Sequence, residues 1–550
     1  MKTNKILLSV AVAGVMLSAC NDLNQVPYAN YVTEDQKKQV VADNPEMASA
    51  SVNALPQMSN TYLALFRGNP RVDTDYGVPS IMMMMDHRGM DMVSQLNDYQ
   101  WYTAALEMSD FGGRYYNNII FWRTFYNMVS SSNAVLSLIP GDTTNPESQY
   151  FRAQALGFRA WAYSWLGQMY QFTYARNPQA PTVPLILDTN LDEAAQNGME
   201  RASGEVLYNQ VLADCNEAIS LLDQAKLGGM TRATVAGGNL EKTFINQTVL
   251  YGLKARVDLL KQDYVAAEND ASEAIRLATA DGHRCYTMDE AAKPGINKIS
   301  DPSFIWGFYV DPSSSLVGLI GWGGQMIPWH PNGYPGAGCY RLINKALYAK
   351  ISSVDVRKGW WLNENAQPGS GMPSQYRDYI NPANAEGYGI EPVPAYCGVK
   401  FGAYNDEPGA TVNAEDIPYM RMEELYLMLA EAQGMRSPAI GAKTLTDFVK
   451  ANRMPTYSCN ASTTDAFRDE LWFQRRIELW GEGFSYFDMM RFEKTLDRRG
   501  GGYDPTLVYV VDPSNPVLIY DMEYQEAENN PKIGIKTNGA TKPSAVPDIE

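Results

Sequence analysis

Apolar and polar positions follow a helical period over most of this chain and lose it over one long central stretch. Tyr116, Ile119, Ile120, Trp122, Phe125, Tyr126, Val129, Asn133, Leu136 and Ile139 recur at helical spacing and predict a long amphipathic helix that Pro140-Gly141 closes. Helical patterning also covers about 46–66, where Pro56 interrupts it, then 418–435 and 465–492. Between 67 and 113 the chain reads as loop, with methionines at 82 to 85, 90 and 92 followed by Tyr99, Trp101 and Tyr102. From 281 to 415 the periodicity breaks down among glycines and prolines, and only 340–351 reads as helix. Irregular stretches this long inside a packed protein usually serve a function. The end, 498–550, reads as loop with a short apolar run at Leu507 to Val511.

Two segments carry a helix-pair pattern. Tyr163-x-x-Leu166-Gly167-x-x-Tyr170 resembles the first helix of a tetratricopeptide repeat, where a small residue admits a partner helix. Ser203 then caps a helix bearing Val211, Cys215, Ala218 and Ile219. A second copy runs from Ala255 through Asp263-Tyr264 to Ala267, Ala271 and Ala274, with small residues at the steps such a repeat uses.

The N-terminus reads as an address. Lys2 and Lys5 precede an uncharged, largely apolar run from Ile6 to Leu17, too short to span a bilayer and suited to a secretory signal over residues 1–19. Leu17-Ser18-Ala19-Cys20 resembles the bacterial lipobox, so Cys20 is expected to be acylated and to begin the mature chain. Two or three acyl chains, at about 0.8 kcal/mol per buried CH₂, hold a protein durably at a membrane. The polar residues 20–45, with Pro27 and Lys37-Lys38, read as a lipidated flexible tether. Residues 46–550 are then one domain.

Charge and composition narrow the function classes. The chain carries 62 acidic against 45 basic side chains, a formal charge of −17, and losing Lys2 and Lys5 makes the mature form more acidic still. That surface repels nucleic acid and anionic headgroups, leaving the lipid as the only expected membrane contact. Cys215, Cys285, Cys339, Cys397 and Cys459 match no zinc or CxxC spacing and read mainly as buried small hydrophobes. Three histidines disfavour a histidine-rich metal site, so no metal or cofactor is expected. Phosphate-binding loops, HExxH, G-x-S-x-G and EF-hand patterns are all missing from the sequence, and no enzymatic activity is expected.

The C-terminal helices are more specific. Arg475-Arg476-Ile477-Glu478-Leu479-Trp480-Gly481-Glu482-Gly483-Phe484, continuing through Asp488 to Phe492, closely resembles the signature of the SusD/RagB family of nutrient-capturing outer-membrane lipoproteins. The segment from Ile417-Pro418-Tyr419-Met420-Arg421 to Ala432 resembles that family's preceding helix. Trp122, Tyr126 and Asn133 fit its N-terminal helix, and Glu528-Asn529-Asn530-Pro531 partly fits its ending. The resemblance implies a mostly α-helical fold with tetratricopeptide-like helix pairs as scaffold, over about 46–280 and 416–495, and a loop-rich ligand lobe over 281–415. It implies a lipid-anchored protein on the outward face of the outer membrane, delivering oligosaccharide to a SusC-like TonB-dependent porin. A peptide-capturing lid and a scaffold protein without ligand are the alternatives. Read from its own residues, the signature is structural: Glu478, Glu482 and Asp488 lie within helical reach of Arg475, Arg476 and Arg491. Ion pairing there argues against Glu478 and Glu482 as a glycosidase-type carboxylate pair.

Glycan-binding members of the family present aromatic rings from irregular loops, and a Trp or Tyr offers roughly 150–250 Å² of rigid surface to a sugar's C–H face. Trp322, Trp329 and Tyr334 are the first candidates, with Trp306, Tyr99 and Trp101 beside them. In the starch-binding relative the loop matching 322–334 contributes an aromatic. The loop carrying that relative's tryptophan-rich arc corresponds here to Asp86 to Met92, which is methionine-rich and lacks tryptophan. This departure argues against starch as the ligand. Its methionines read more readily as packing than as a face for ligand or porin.

Overall fold

The helical periodicity resolves into antiparallel pairs joined by short loops. The structure, a computed structural model, describes residues 34–62 and 73–549; the signal segment and Cys20 lie outside the described residues. The principal helices are α1 (Glu34–Asp43), α2 (Ser49–Gln57), α3 (Val78–Arg88), α4 (Tyr116–Leu138), α5 (Pro146–Met169), α6 (Gly204–Leu227), α7 (Gln247–Lys261), α8 (Tyr264–Ala280), α9 (Met422–Arg436), α10 (Pro438–Asn452), α11 (Thr464–Glu478) and α12 (Ser485–Arg491). They pack in succession, α4 on α5, α5 on α6, α7 on α8, α8 on α9 and α9 on α10, so the scaffold grows as a stack of neighbours.

Local chemistry sets where these helices start. Asn145 accepts from the Glu147 and Ser148 amides ahead of α5, Ser203 from Val206 at α6, Asn246 from Val249 at α7 and Asp263 from Ala266 at α8. The spacing that resembles a repeat is a packing requirement. A β-carbon on Gly167 would stand 2.7 Å from the Tyr208 hydroxyl and 2.8 Å from Leu207, so only glycine lets α5 and α6 approach. Ala255, Ala267, Ala271 and Ala274 are all fully buried between helices.

Several segments differ from the sequence reading, among them 418–421, where the helix expected over 418–435 is strand and the helix proper starts at Met422. Residues 34–43 of the expected tether are helical, as α1. The loop expected over 67–113 contains α3, whose every side chain is buried, including all of Met82 to Met85. A helix buried on all sides has no polar face and therefore no period to read. The Asp86–Met92 segment is its last turn and the turn into strand β1 (Met92–Ser94). The Met82 to Met85 side chains accordingly face core, which leaves them neither ligand nor porin. The helix expected over 340–351 begins instead as strand β3 (Arg341–Ile343), following β2 (Phe304–Phe308) and preceding β4 (Ile417–Arg421). β1 pairs with β3, and β2 with β4, both antiparallel.

The signature segment is the seam between scaffold and lobe. Gly481 and Gly483 turn with φ of 77° and 79°, separating α11 from α12. Glu478 accepts from Arg453 at 2.8 and 2.9 Å and from Arg357 at 3.3 Å. Glu482 takes both Arg421 nitrogens at 2.8 Å and the Lys400 ammonium at 2.5 Å. Burial alone would raise both acids, but the surrounding guanidiniums, joined at Glu482 by Lys400, hold them below the usual carboxylate range. These are charged structural acids, but their partners come from distant segments and not from Arg475, Arg476 or Arg491; of the local pairs the spacing predicts, Asp488 with Arg491 is made.

Candidate ligand-binding surface

The β1–β3 ladder decides which loops meet. Met92 lies opposite Ile343, Val93 opposite Leu342 and Ser94 opposite Arg341. The loop leaving β1, 95–102, is thereby set beside the loop entering β3, 327–340. Tyr99 and Trp101 emerge from the first with 48% and 40% of their surface exposed. Tyr334, from the second, stands behind them: its ring centroid is 6.1 Å from each, tilted 43° to Tyr99 and 63° to Trp101.

Hydrogen bonds hold this cluster from beneath. The Tyr334 hydroxyl donates to Asp73 Oδ2 at 2.5 Å, and Gln325 Nε2 donates to the Asp73 carbonyl at 3.1 Å. Asn97 Oδ1 accepts the Tyr99 amide at 3.0 Å, and Tyr116 donates its hydroxyl to the Trp101 carbonyl at 3.3 Å. Tyr102, just below, shares a 2.6 Å hydroxyl contact with Tyr76; burial pushes its phenol up to about 12, so it stays neutral. The result is two rings open to solvent on a base with fixed side chains. Asp73, Asn97 and Gln325 carry no sequence motif, and only the folded arrangement reveals them.

Tyr334 is itself only 5% exposed, a buried backing ring and not a ligand platform, and the remaining candidate aromatics also belong to the interior. Trp306 is fully buried because β2 is covered on both faces; its ring packs 4.6 Å from Trp161 and its Nε1 donates to the Thr243 carbonyl at 3.1 Å. Trp329 is equally buried, against Tyr376 at 4.7 Å, with Nε1 donating to the Phe401 carbonyl at 2.6 Å. Trp322 is 2% exposed and meets Phe401 edge-on at 5.0 Å. An irregular lobe has few helix or sheet faces to bury, so these indoles build its core in their place. They are corrected from ligand platforms to packing residues.

Among the described residues no group of three or more His, Cys, Asp or Glu side chains converges to hold a metal ion. Cys215, Cys285, Cys339, Cys397 and Cys459 are free thiols. No described helix is long and apolar enough to cross a membrane.

A helix-pair scaffold with a loop lobe and a surface aromatic cluster defines the class, and comparison with known proteins gives the family. A SusD family model matches residues 357–544, and a model described as "starch-binding associating with outer membrane" matches 35–235. The chain belongs to the SusD/RagB family. Its fold is similar to that of a SusD-like carbohydrate-binding protein from Bacteroides vulgatus, at 20% identity and a TM-score of 0.69, over 89% of this chain and 97% of that one. It is also similar to a SusD superfamily protein from Bacteroides thetaiotaomicron, at 19% identity and a TM-score of 0.66, over 92% and 100%. Surface glycan-binding protein A from Bacteroides thetaiotaomicron, solved in complex with laminarihexaose, aligns at 16% identity and a TM-score of 0.60, over 90% and 99%. No curated protein matches by sequence.

Proposed function

We propose that this chain captures oligosaccharide on the Tyr99–Trp101 surface, backed by the buried Tyr334, and delivers it to a TonB-dependent porin of the outer membrane, to which acylated Cys20 anchors it on the outward side. The observation that carries the reading is the pair of exposed rings, each 6.1 Å from the hydrogen-bonded Tyr334. Aromatic faces at fixed spacing suit the C–H faces of successive sugars, while the Asn97 and Asp98 side chains on the same exposed loop offer polar partners. The family assignment and the laminarihexaose-bound neighbour support a glycan over a peptide. Confining captor and porin to one membrane raises their effective concentration, so modest glycan affinity suffices.

The test is a glycan array followed by calorimetry on the best ligand. Trp101→Ala and Tyr99→Ala are each expected to weaken binding about 5- to 30-fold, the equivalent of about 1–2 kcal/mol. An array with no glycan binding, or affinity unchanged in both variants, would remove this surface from consideration. Cys20→Ser should release the protein from the membrane fraction and abolish its co-purification with the porin.

A further inference from the structure

A cavity lies at the end of α4 and α5 opposite the Tyr99–Trp101 surface. The Tyr170 hydroxyl, at the end of α5, donates to Asn118 Oδ1 at 2.7 Å, close to Tyr116 and thus to Trp101. Tyr150, near the start of α5, is 20 residues back, about 30 Å at 1.5 Å per residue. There the ends of α5, α6 and α8 and the loop before β2 surround a cavity of about 710 Å³, within the usual range for a small-molecule site.

Its lining is rich in donors that the protein leaves underused. Tyr150 is 1% exposed and its hydroxyl has no hydrogen-bond partner among the described residues. Arg232 is 7% exposed, yet its two hydrogen bonds, to the Phe244 and Ile305 carbonyls, are long at 3.3 and 3.4 Å. Glu241, its ionic neighbour, is 3.8 Å away with a part-exposed side chain. Lys242 donates to the carbonyl oxygens of Ile299 at 2.7 Å and Asp301 at 3.5 Å and pairs with no carboxylate among the described residues. The other acids are differently placed: Asp281 is exposed at the rim, and Asp301 Oδ2 already accepts the Lys298 amide at 3.0 Å.

We infer that this cavity is a second ligand site, in which Tyr150, Arg232 and Lys242 bind an oxyanion, a carboxylate or phosphate carried on a ligand of sugar size. Charge-assisted hydrogen bonds to such an oxyanion are stronger than the carbonyl contacts these donors now make. Burial, with Arg232 adding to it, brings Lys242 down to about 8, and burial also lowers Arg232 against the partial offset of Glu241. Both are cations short of counter-charge, which an incoming anion supplies. His283, brought to about 4 by burial and by Lys242, is neutral here and acts as a polar wall.

Calorimetry on the purified protein with sodium glucuronate, inorganic phosphate and glucose tests this. Saturable binding of glucuronate or phosphate, without glucose binding, is expected. Tyr150→Phe, which keeps the ring, and Lys242→Gln should each weaken it at least about fivefold. Trp101→Ala should leave it unchanged, which separates this site from the aromatic surface. Affinity should fall as pH rises through about 8, where Lys242 loses its charge. Glucuronate binding assigns a sugar acid; phosphate binding alone assigns a phosphorylated ligand. Neither oxyanion binding at roughly 10 mM, a limit of weak affinity, or equal affinity in both variants, overturns the site.

Discussion

Tyr334 and Asp73 are 261 positions apart, and the hydroxyl of the first donates to the carboxylate of the second at 2.5 Å. That bond sets the plane of the ring standing behind Tyr99 and Trp101. Asp73→Ala is therefore expected to weaken glycan binding about three- to tenfold, although its carboxylate serves the tyrosine and not the sugar. Tyr334→Phe should do the same, and the double variant should lose little more than either one. Additive losses by calorimetry would mean that the two residues act separately.

Glu478 should be a stability residue. Its buried carboxylate answers Arg453 and Arg357, and removing it strands guanidiniums in the interior. Glu478→Ala is expected to cost about 3–5 kcal/mol in chemical denaturation, the range for breaking a buried pair. A change below about 1 kcal/mol, the scale of an exposed ion pair, would contradict the network's structural role.

Two groups of acids give two pH windows. Asp258 is raised to about 8 by burial and by its contact with Asp270, so the folded chain holds a proton that the unfolded chain has lost. Stability from this group is full below the usual carboxylate range and falls as pH rises towards 8. Glu478 and Glu482, held low despite burial, act oppositely: their contribution is full above about 4.5 and declines at lower pH. Urea midpoints measured against pH should therefore fall on both sides of mildly acidic pH, and Asp258→Asn should flatten the upper limb alone. An upper limb unaltered by that substitution would place its origin elsewhere.

Gly167 tests the repeat-like packing. Its missing β-carbon accommodates the Tyr208 hydroxyl and Leu207, so Gly167→Ala should destabilise by about 1–3 kcal/mol, as overpacking does. A stabilised variant, as expected from helix propensity alone, would show that the two helices separate freely.

The sequence made the scaffold legible where helices keep a polar face. The Tyr116–Ile139 pattern, Gly167 and the small residues from Ala255 to Ala274 each map to the role their spacing implied, whereas Glu478 and Glu482 of the Arg475–Phe492 signature are structural through partners outside it, Arg357, Lys400, Arg421 and Arg453. The reading failed where burial is complete. α3 has no exposed side chain and hence no period, and β2 hides Trp306 on both faces. For the candidate site, aromatic content pointed to several loops but could not say which of their rings are exposed. Exposure separates Tyr99 and Trp101 from Trp322 and Trp329, and it depends on contacts remote in sequence, such as Trp329 with Phe401 and Tyr376. Asp73 had no signal at all.

The charged seam has a consequence for how a ligand is met. Arg357 and Lys400 come from the lobe, and Arg421, Arg453, Glu478 and Glu482 from the scaffold beside it. Parting the two would uncouple several buried charge pairs at once and open the packing that surrounds them. These pairs tie the two parts together at the seam. On the proposed function, a sugar reaching Tyr99 and Trp101 would meet rings whose backing is fixed by the Tyr334–Asp73 hydrogen bond before it arrives.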